Sequence, residues 1–467
     1  MAEERNVDTA EAARAEAQFR KMTETPVPKL LVKLAIPTVI TMLITSIYNL
    51  VDTAFVGTLG TSQSAAIGII LSFMTIAQAF ALMLGQGAGS MMSRRLGAKN
   101  YEEANMVSST GFFACIIYSL FIMVLGLIFK GQAVYWLGST DTIAPYAETY
   151  LTYILFGLPF SMGSYVLNNQ LRFEGKAKLG MVGMLTGSII NIGLDPLFIF
   201  GFHLGIGGAG LATALSQCIG FCILVSMFLR GKSNLRLSWK NCNFRWSIMG
   251  GIIGTGFPTL IRQGLASLGT AILNWEANPY GDEAVAAMTI VAKIGMFLFC
   301  FGLGVGQGAQ PIFSYNYGAK IYSRVRQTFK VTVLGAIGIM GLISLITGLF
   351  AEPVVAIFRN DPAVIEIGIR ALHLLCIGMF FVPFGMVVEM LFQSTGKKLQ
   401  ASILSACRGG LIFIPALLIL SATRGLAGIQ EAQPLAYVLS VIPAAIFLVI
   451  YLKQLPKEDG LEAKLKK

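Results

Sequence analysis

Residues 81–101 read ALMLGQGAGSMMSRRLGAKNY, and residues 302–322 read GLGVGQGAQPIFSYNYGAKIY. Set one under the other, Gly85-Gln86-Gly87-Ala88 falls on Gly306-Gln307-Gly308-Ala309, Gly97-Ala98-Lys99 on Gly318-Ala319-Lys320, and Tyr101 on Tyr322. The offset is 221 residues (306 less 85) and needs no gap. Carried along the chain, it also lays Ile36-Pro37-Thr38 on Phe257-Pro258-Thr259 and Gly175-Lys176 on Gly396-Lys397. Coincidences repeated at one spacing identify an internal duplication, so the fold is one unit built twice.

That unit belongs in a membrane. Of 467 residues, 55% are hydrophobic and 13% are charged, about half the charged share of a soluble domain. This balance excludes a disordered chain, a basic nucleic-acid-binding domain and an ordinary soluble enzyme. Apolar runs long enough to cross a bilayer lie near 30–57, 63–91, 104–129, 145–170, 178–201, 207–229, 247–275, 284–314, 327–350, 364–393, 400–422 and 432–454. Lipid offers nothing to satisfy backbone groups, so each run must be a helix. The predicted fold is an all-α polytopic membrane protein, with twelve transmembrane helices in two six-helix lobes. Six is even, so both lobes start on one side of the membrane and should be related by a pseudo-two-fold along its normal. The expected divisions are a tail over 1–29, an N-lobe over 30–229, a linker over 230–246, a C-lobe over 247–454 and a second tail over 455–467.

The formal charge of +11 is mostly an orientation signal. Arg94/Arg95/Lys99, Arg172/Lys176/Lys178, Arg230/Lys232/Arg236/Lys240/Arg245, Lys320/Arg324/Arg326/Lys330 and Lys397/Lys398 all fall on the side of the termini. The opposite loops hold only Lys130, Arg359 and Arg424. The excess of Lys and Arg on cytosolic loops then predicts a multi-pass protein of the cell (inner) membrane with both termini in the cytosol. Attraction to anionic headgroups is a secondary effect of the same charges. The first residues lack an apolar core and read as a cytosolic tail, not a signal peptide. Seven Cys, all but Cys242 in apolar runs, give no disulfide framework or metal site.

Ionised side chains inside a span cost about 2.5–3.5 kcal/mol each on insertion scales, so each calls for a partner or a purpose. The candidates are Asp52, Asp195, Glu276 and Glu389, with Arg262, Lys293, Arg370 and Arg408. Asp52 and Asp195 each lie about five residues inside the outer end of their spans, roughly 8 Å deep. Asn191 is one turn from Asp195 on the same face. Thr213 reaches a similar depth, and Tyr150 enters from the fourth span. Two carboxylates at close range cannot both ionise cheaply, so one takes a proton or the pair holds a cation. Oxygen ligands suit Na⁺ or H⁺ and not a transition metal. The plainer reading stays open, in which each Asp is bonded to one neighbour for helix packing.

These residues resemble the multidrug and toxic compound extrusion (MATE) transporters, and within them the bacterial MepA-like branch. The resemblance covers about 30–454. It rests on Ala35-Ile36-Pro37 with Tyr48-Asn49-Leu50-Val51-Asp52, on both Gly-Gln-Gly-Ala motifs, on Asn191 with Asp195-Pro196, and on the twelve-span duplication. It implies export of organic, often cationic, compounds in exchange for H⁺ or Na⁺, with no other cofactor. It also implies that Asp52, Asn191, Asp195 and Thr213 bind the coupling ion, supported by Tyr150 and Asn168. Asn168 sits awkwardly, near the cytosolic end of its span, some ~27 Å from Tyr150. Pro37 is the expected bend of the first span, as a moving hinge or a static kink.

The second lobe departs from the first. By the same offset Asp52 falls on Leu273, Asn191 on Ile412 and Asp195 on Ala416, all apolar. Glu389 could pair with Lys293 or Arg408, and Arg370 with Glu366 one turn away. Glu276 lies near the outer end of its span. These charges, with Arg262, are either structural pairs or part of a substrate site. The glycines over 302–308 resemble a nucleotide loop but sit in an apolar span without a Walker lysine, where small residues let helices approach. The 20 Met and 31 Phe are either lipid-facing or line an adaptable cavity. The leading reading is a monomeric antiporter for small organic molecules, working in the bilayer without nucleic acid and not an enzyme. A flippase for lipid-linked saccharides is the alternative, which would want a basic cavity.

Overall fold

The computed structural model describes the backbone of residues 2–460, and side chains for residues 13–48, 51, 55 and 57–460. In chain order the helices are α1 (Ala2–Glu24), α2 (Val27–Gly57), α3 (Thr61–Gly97), α4 (Tyr101–Ile128), α5 (Lys130–Trp136), α6 (Ala144–Phe173), α7 (Ala177–Pro196) and α8 (Gly205–Leu229). They continue with α9 (Trp246–Ala277), α10 (Asp282–Gly318), α11 (Tyr322–Leu349), α12 (Ala351–Phe358), α13 (Pro362–Met379), α14 (Val382–Thr395), α15 (Lys398–Ala406), α16 (Phe413–Arg424) and α17 (Leu426–Gln454). No strand occurs among the described residues. Each predicted span is present: the tenth is α13 with α14, and the eleventh is α15 with α16 joined by one wide turn, Cys407–Leu411. Eleven of the spans are long and apolar enough to cross a membrane by composition. The other, α9, is 32 residues long and carries Arg262.

The duplication is legible in the backbone. The two Gly-Ala-Lys motifs end α3 and α10 with a lysine in the left-handed region, Lys99 at φ 58° and Lys320 at φ 60°. Behind Lys99, the Asn100 N–H donates to Arg95 O at 2.9 Å and the Lys99 N–H to Leu96 O at 3.0 Å. This is the double bond pattern of a helix closed by a Schellman turn, which satisfies carbonyls the helix leaves over. Ile321 N donates to Asn316 O in the same way at 2.9 Å. Gly175 and Gly396, at φ 85° and 83°, close α6 and α14 by the same turn. The short helices α5 and α12 also keep the offset, since 351 less 130 is 221. They lie in stretches that the sequence left as loops.

The chain separates into two compact units, Met1–Lys21 with Ile40–Gly256, and Met22–Val39 with Phe257–Lys467. The divisions fall inside α1 just after Lys21, inside α2 just after Pro37 and inside α9 just before Pro258, so α2 and α9 are shared where the expected lobes kept them whole. The Gly-Gln-Gly-Ala motifs explain the sharing. In the first unit a Cβ on Gly87 would stand 2.0 Å from Ile252 O, and one on Gly256 would stand 1.8 Å from Met83 O. Backbones of α3 and the first half of α9 therefore meet directly. In the second unit a Cβ on Gly308 would stand 2.6 Å from Ala35 Cα, and one on Gly304 would stand 2.4 Å from Val39 Cγ2. The motifs are contact surfaces between helices that only glycine leaves thin enough.

The segment expected as a tail is the helix α1. Gln18 is buried and its Nε2 donates to Glu174 O at 2.5 Å; Lys21 Nζ donates to Gly175 O at 3.0 Å. Beyond the division, Arg324 Nη2 donates to Thr25 O at 2.7 Å and Asn316 Nδ2 to Met22 O at 3.2 Å.

Candidate functional site

The polar residues of the first unit meet where α7 lies against α8. Pro196 has no N–H to continue α7, and the chain passes into a wide turn over Leu197–Gly201. There the Phe202 N–H reaches back five residues to Leu197 O at 2.9 Å. Gly208 lets α8 lie directly on that turn, since a Cβ would stand 2.7 Å from Phe198 C. The approach brings Thr213 to α7. Asn191 Nδ2 lies 3.4 Å from Asp195 Oδ1 and 3.4 Å from Thr213 Oγ1. Asp195 is 0% exposed, and Asn191, Thr213 and Tyr150 are each 1%. Tyr150 packs on Gly210, one turn from Thr213. Asn191 Oδ1 has no hydrogen-bond partner among the described residues. A carboxylate and a hydroxyl thus converge out of water on the Asn191 amide nitrogen, and with the amide turned to present its oxygen the same three side chains would form an oxygen set that fits a proton or a hard cation.

Of the sequence candidates, the geometry brings Asn191, Asp195 and Thr213 together with Tyr150 alongside. Asp52 lies in α2, and its side chain is outside the described residues. Asn168 stands apart: its Oδ1 lies against Gly180, 2.3 Å from where a Cβ would be. Asn191 is eleven residues further along α7, about 16 Å away at 1.5 Å per residue. Asn168 therefore packs the far end of α6 on α7 and does not join the cluster.

Asn191 also lines a cavity of about 160 Å³ in the first unit. Tyr48, Gln78, Tyr165, Met184 and Gln217 share its wall, and no ionised side chain does among the described residues. The sequence reading missed these residues individually. A Gln or Tyr inside an apolar run was the available signal, but many such residues only bond their own helix. Pro37 is inside α2, where Thr38 Oγ1 donates to Leu34 O at 2.9 Å.

The second unit has a charge cluster of another kind. Glu389 is 0% exposed. Arg262 Nη1 reaches its Oε1 at 3.0 Å, Arg408 Nη2 its Oε2 at 2.5 Å, and Ser405 Oγ lies 2.9 Å from Oε1. Arg408 also lies over the Phe299 ring at 5.7 Å. The expected Arg408 partner is present. Lys293 is exposed and takes no part, and Arg262 takes its place. Arg370 pairs with Glu431 at 3.6 Å and not with Glu366; Glu431 holds Arg424 with its other oxygen. Glu276 accepts from Ser421 Oγ at 2.5 Å near the end of α9.

A family model described as MatE matches residues 37–197 and 258–419, once in each repeat. The multidrug export protein MepA of Staphylococcus haemolyticus is 28% identical over 407 residues, covering 87% of this chain and 90% of its own. MepA of Staphylococcus aureus is 27% identical over 438 residues, covering 93% and 96%. A MATE protein solved in a straight conformation superposes with TM-score 0.89 at 25% identity, over 94% of this chain and 99% of its own. A bent conformation superposes with TM-score 0.87, also at 25% identity, over 94% and 98%.

Proposed function

This chain belongs to the MatE family, and from that premise we propose that it is a secondary active multidrug efflux transporter exchanging organic, often cationic, compounds for H⁺ or Na⁺. It works as a monomer in the cell membrane with both termini in the cytosol, and it is not an enzyme. The observation that carries the reading is the position of Asn191. One side of it meets buried Asp195 and Thr213, and another lines a cavity whose described walls carry no ionised side chain. An event at the carboxylate is therefore one side chain away from a space that can take an organic molecule.

The proposed cycle follows from the cost of buried charge. Asp195, with Asp52 as its partner, holds negative charge in a medium that penalises it. A proton or Na⁺ relieves the penalty; for Na⁺ the Asn191 amide turns its Oδ1 inward and completes the ligand set with Thr213 Oγ1. Neutralisation lets α2 bend at Pro37, where proline leaves the Lys33 carbonyl without its helical donor. Family members solved both straight and bent support such a hinge. The bend reshapes the cavity wall that Thr45 and Tyr48 of α2 help to form, and the compound leaves. Coupling is reciprocal: an ion that weakens drug binding must bind less well while drug is present.

The flippase alternative wanted free cations for a pyrophosphate. Arg262 and Arg408 are instead engaged by Glu389, which favours the antiporter. The test is uptake of a fluorescent organic cation into vesicles, with Na⁺ and pH gradients imposed separately. One gradient should drive transport against the dye's own gradient. Transport indifferent to both would sink the proposal.

A further inference from the structure

On the membrane face that carries the basic clusters, the first unit holds a cavity of about 830 Å³ with two kinds of wall. One wall is apolar, formed by Phe112 and Phe113 of α4, Phe228 and Leu229 of α8, and Leu235 of the linker. Its depth can be argued from helix length. The 28 residues of α4 extend about 42 Å, more than a hydrocarbon core of about 30 Å. Its first turns pass beyond the core on this face, and the linker lies along them. Asn105 Oδ1 accepts from Arg236 N at 2.9 Å, Ser109 Oγ from Ser238 N at 3.2 Å, and Thr110 Oγ1 from Asn243 N at 3.0 Å. Trp239 packs edge-on to Phe113 at 5.2 Å and is 58% exposed, as an indole at headgroup depth would be. Phe112 and Phe113 therefore stand where headgroups give way to hydrocarbon.

The other wall is basic. Arg14, Lys99 and Arg236 line the same cavity. Through Arg14, Gly231 and Asn234 it continues into a groove of about 680 Å³ lined by Lys21, Lys176, Arg230 and Lys232, with no carboxylate among the described residues. Several of these cations are already answered. Lys99 holds Glu16 at 2.9 Å and keeps that carboxyl below its usual range, and Lys176 holds Glu174 at 2.6 Å. Arg230 and Lys232 are exposed and form no ion pair with any described residue.

We propose that this cavity binds one anionic phospholipid, its phosphate held by Arg230, Lys232 and Arg14 and an acyl chain laid against Phe113, Phe228 and Leu229. Charge complementarity selects the occupant. A soluble phosphate would answer the cations and leave the apolar wall without purpose. A neutral lipid would cover the apolar wall and leave the cations unmatched. Arg14, Ala15 and Glu16 of α1 also line the cavity, so the bound headgroup would fasten α1 as well. The site is separate from the coupling cluster and stands whichever ion drives transport.

The test uses the delipidated full-length protein in detergent, titrated with phosphatidylglycerol, with phosphatidylcholine of the same chains, and with glycerol 3-phosphate. Retained lipid is read by native mass spectrometry and protection by thermal unfolding. Phosphatidylglycerol should bind one molecule per chain, roughly tenfold or more tighter than phosphatidylcholine, and glycerol 3-phosphate should give no protection. Arg230→Gln with Lys232→Gln should erase the preference, and Arg230→Lys with Lys232→Arg should keep it. Phe113→Ala should weaken both lipids together. Equal binding of the two lipids, protection by glycerol 3-phosphate alone, or an undiminished preference in the Gln variant would each overturn the proposal.

Discussion

Asp195 and Glu389 are both fully buried, yet their surroundings assign them different work. Glu389 is held by two guanidiniums and a serine hydroxyl, so its charge is fixed in place. Asp195 has the neutral Asn191 and Thr213 beside it, and in the proposed cycle a proton or small cation neutralises it there. Asp195→Asn and Asp52→Asn should each abolish gradient-driven efflux of a dye while the protein still purifies as a folded monomer, since Asn keeps the shape and removes the charge. Wild-type rates from either variant would refute the coupling role. Glu389→Gln should act on stability first. It leaves Arg262 and Arg408 buried and facing one another, and removing one partner of a buried ion pair costs about 3–5 kcal/mol. The variant should melt well below wild type in detergent, and an unchanged melting curve would refute the structural reading. The Asp195 constellation was legible because Asn191 is one turn away on the same helix. The Arg262–Glu389 pair was not, because its members are 127 positions apart and sequence alone does not decide which of Arg262, Lys293 and Arg408 a carboxylate meets.

Helix positions were legible because lipid imposes both length and composition on a span. The Gly-Ala-Lys and Gly-Lys motifs, legible in the sequence as marks of the duplication, proved to be Schellman closures of helices. What stayed hidden were elements stabilised by docking. Helix α1 has few apolar residues, and much of its hold on the protein is polar, through Gln18, Lys21 and the backbone they reach and through the Lys99–Glu16 pair, which no periodicity reports. The Gly-Gln-Gly-Ala motif was legible as small residues in a span, though not its partner. That partner gives a prediction at this scale. Gly87→Ala places a methyl 2.0 Å from a helix carbonyl, and Gly308→Ala places one 2.6 Å from a Cα. A backbone cannot turn aside as a side chain does, so each substitution should cost at least the roughly 1–3 kcal/mol of an overpacked core. Gly335→Ala, with nothing within 4 Å, is the control and should leave the melting temperature unchanged. Equal stability of all three proteins would mean that the helices are free to separate, contrary to the close approach seen.

At the scale of the molecule, duplication copied the backbone more faithfully than the chemistry. The turns at Lys99 and Lys320 agree to within a few degrees, while the counterparts of Asn191 and Asp195 are Ile412 and Ala416. One copy offers a carboxylate and an amide at that depth and the other offers apolar side chains, an asymmetry that suits the proposed coupling, in which a single ion event has a single place to act. The orientation of the whole rests on charge. Basic residues recur at one set of helix ends, and insertion retains such ends in the cytosol. Both termini should lie there. Labelling tests this with a cysteine introduced at either face of a variant lacking its own cysteines. Ser233 would be a poor reporter, being 6% exposed with its hydroxyl on Glu174, whereas Lys232 beside it and Thr140 on the opposite side are exposed. A membrane-impermeant maleimide applied to intact cells should modify Thr140→Cys at once and Lys232→Cys only after permeabilisation. The reverse pattern would invert the protein and refute the reading of its basic clusters as cytosolic.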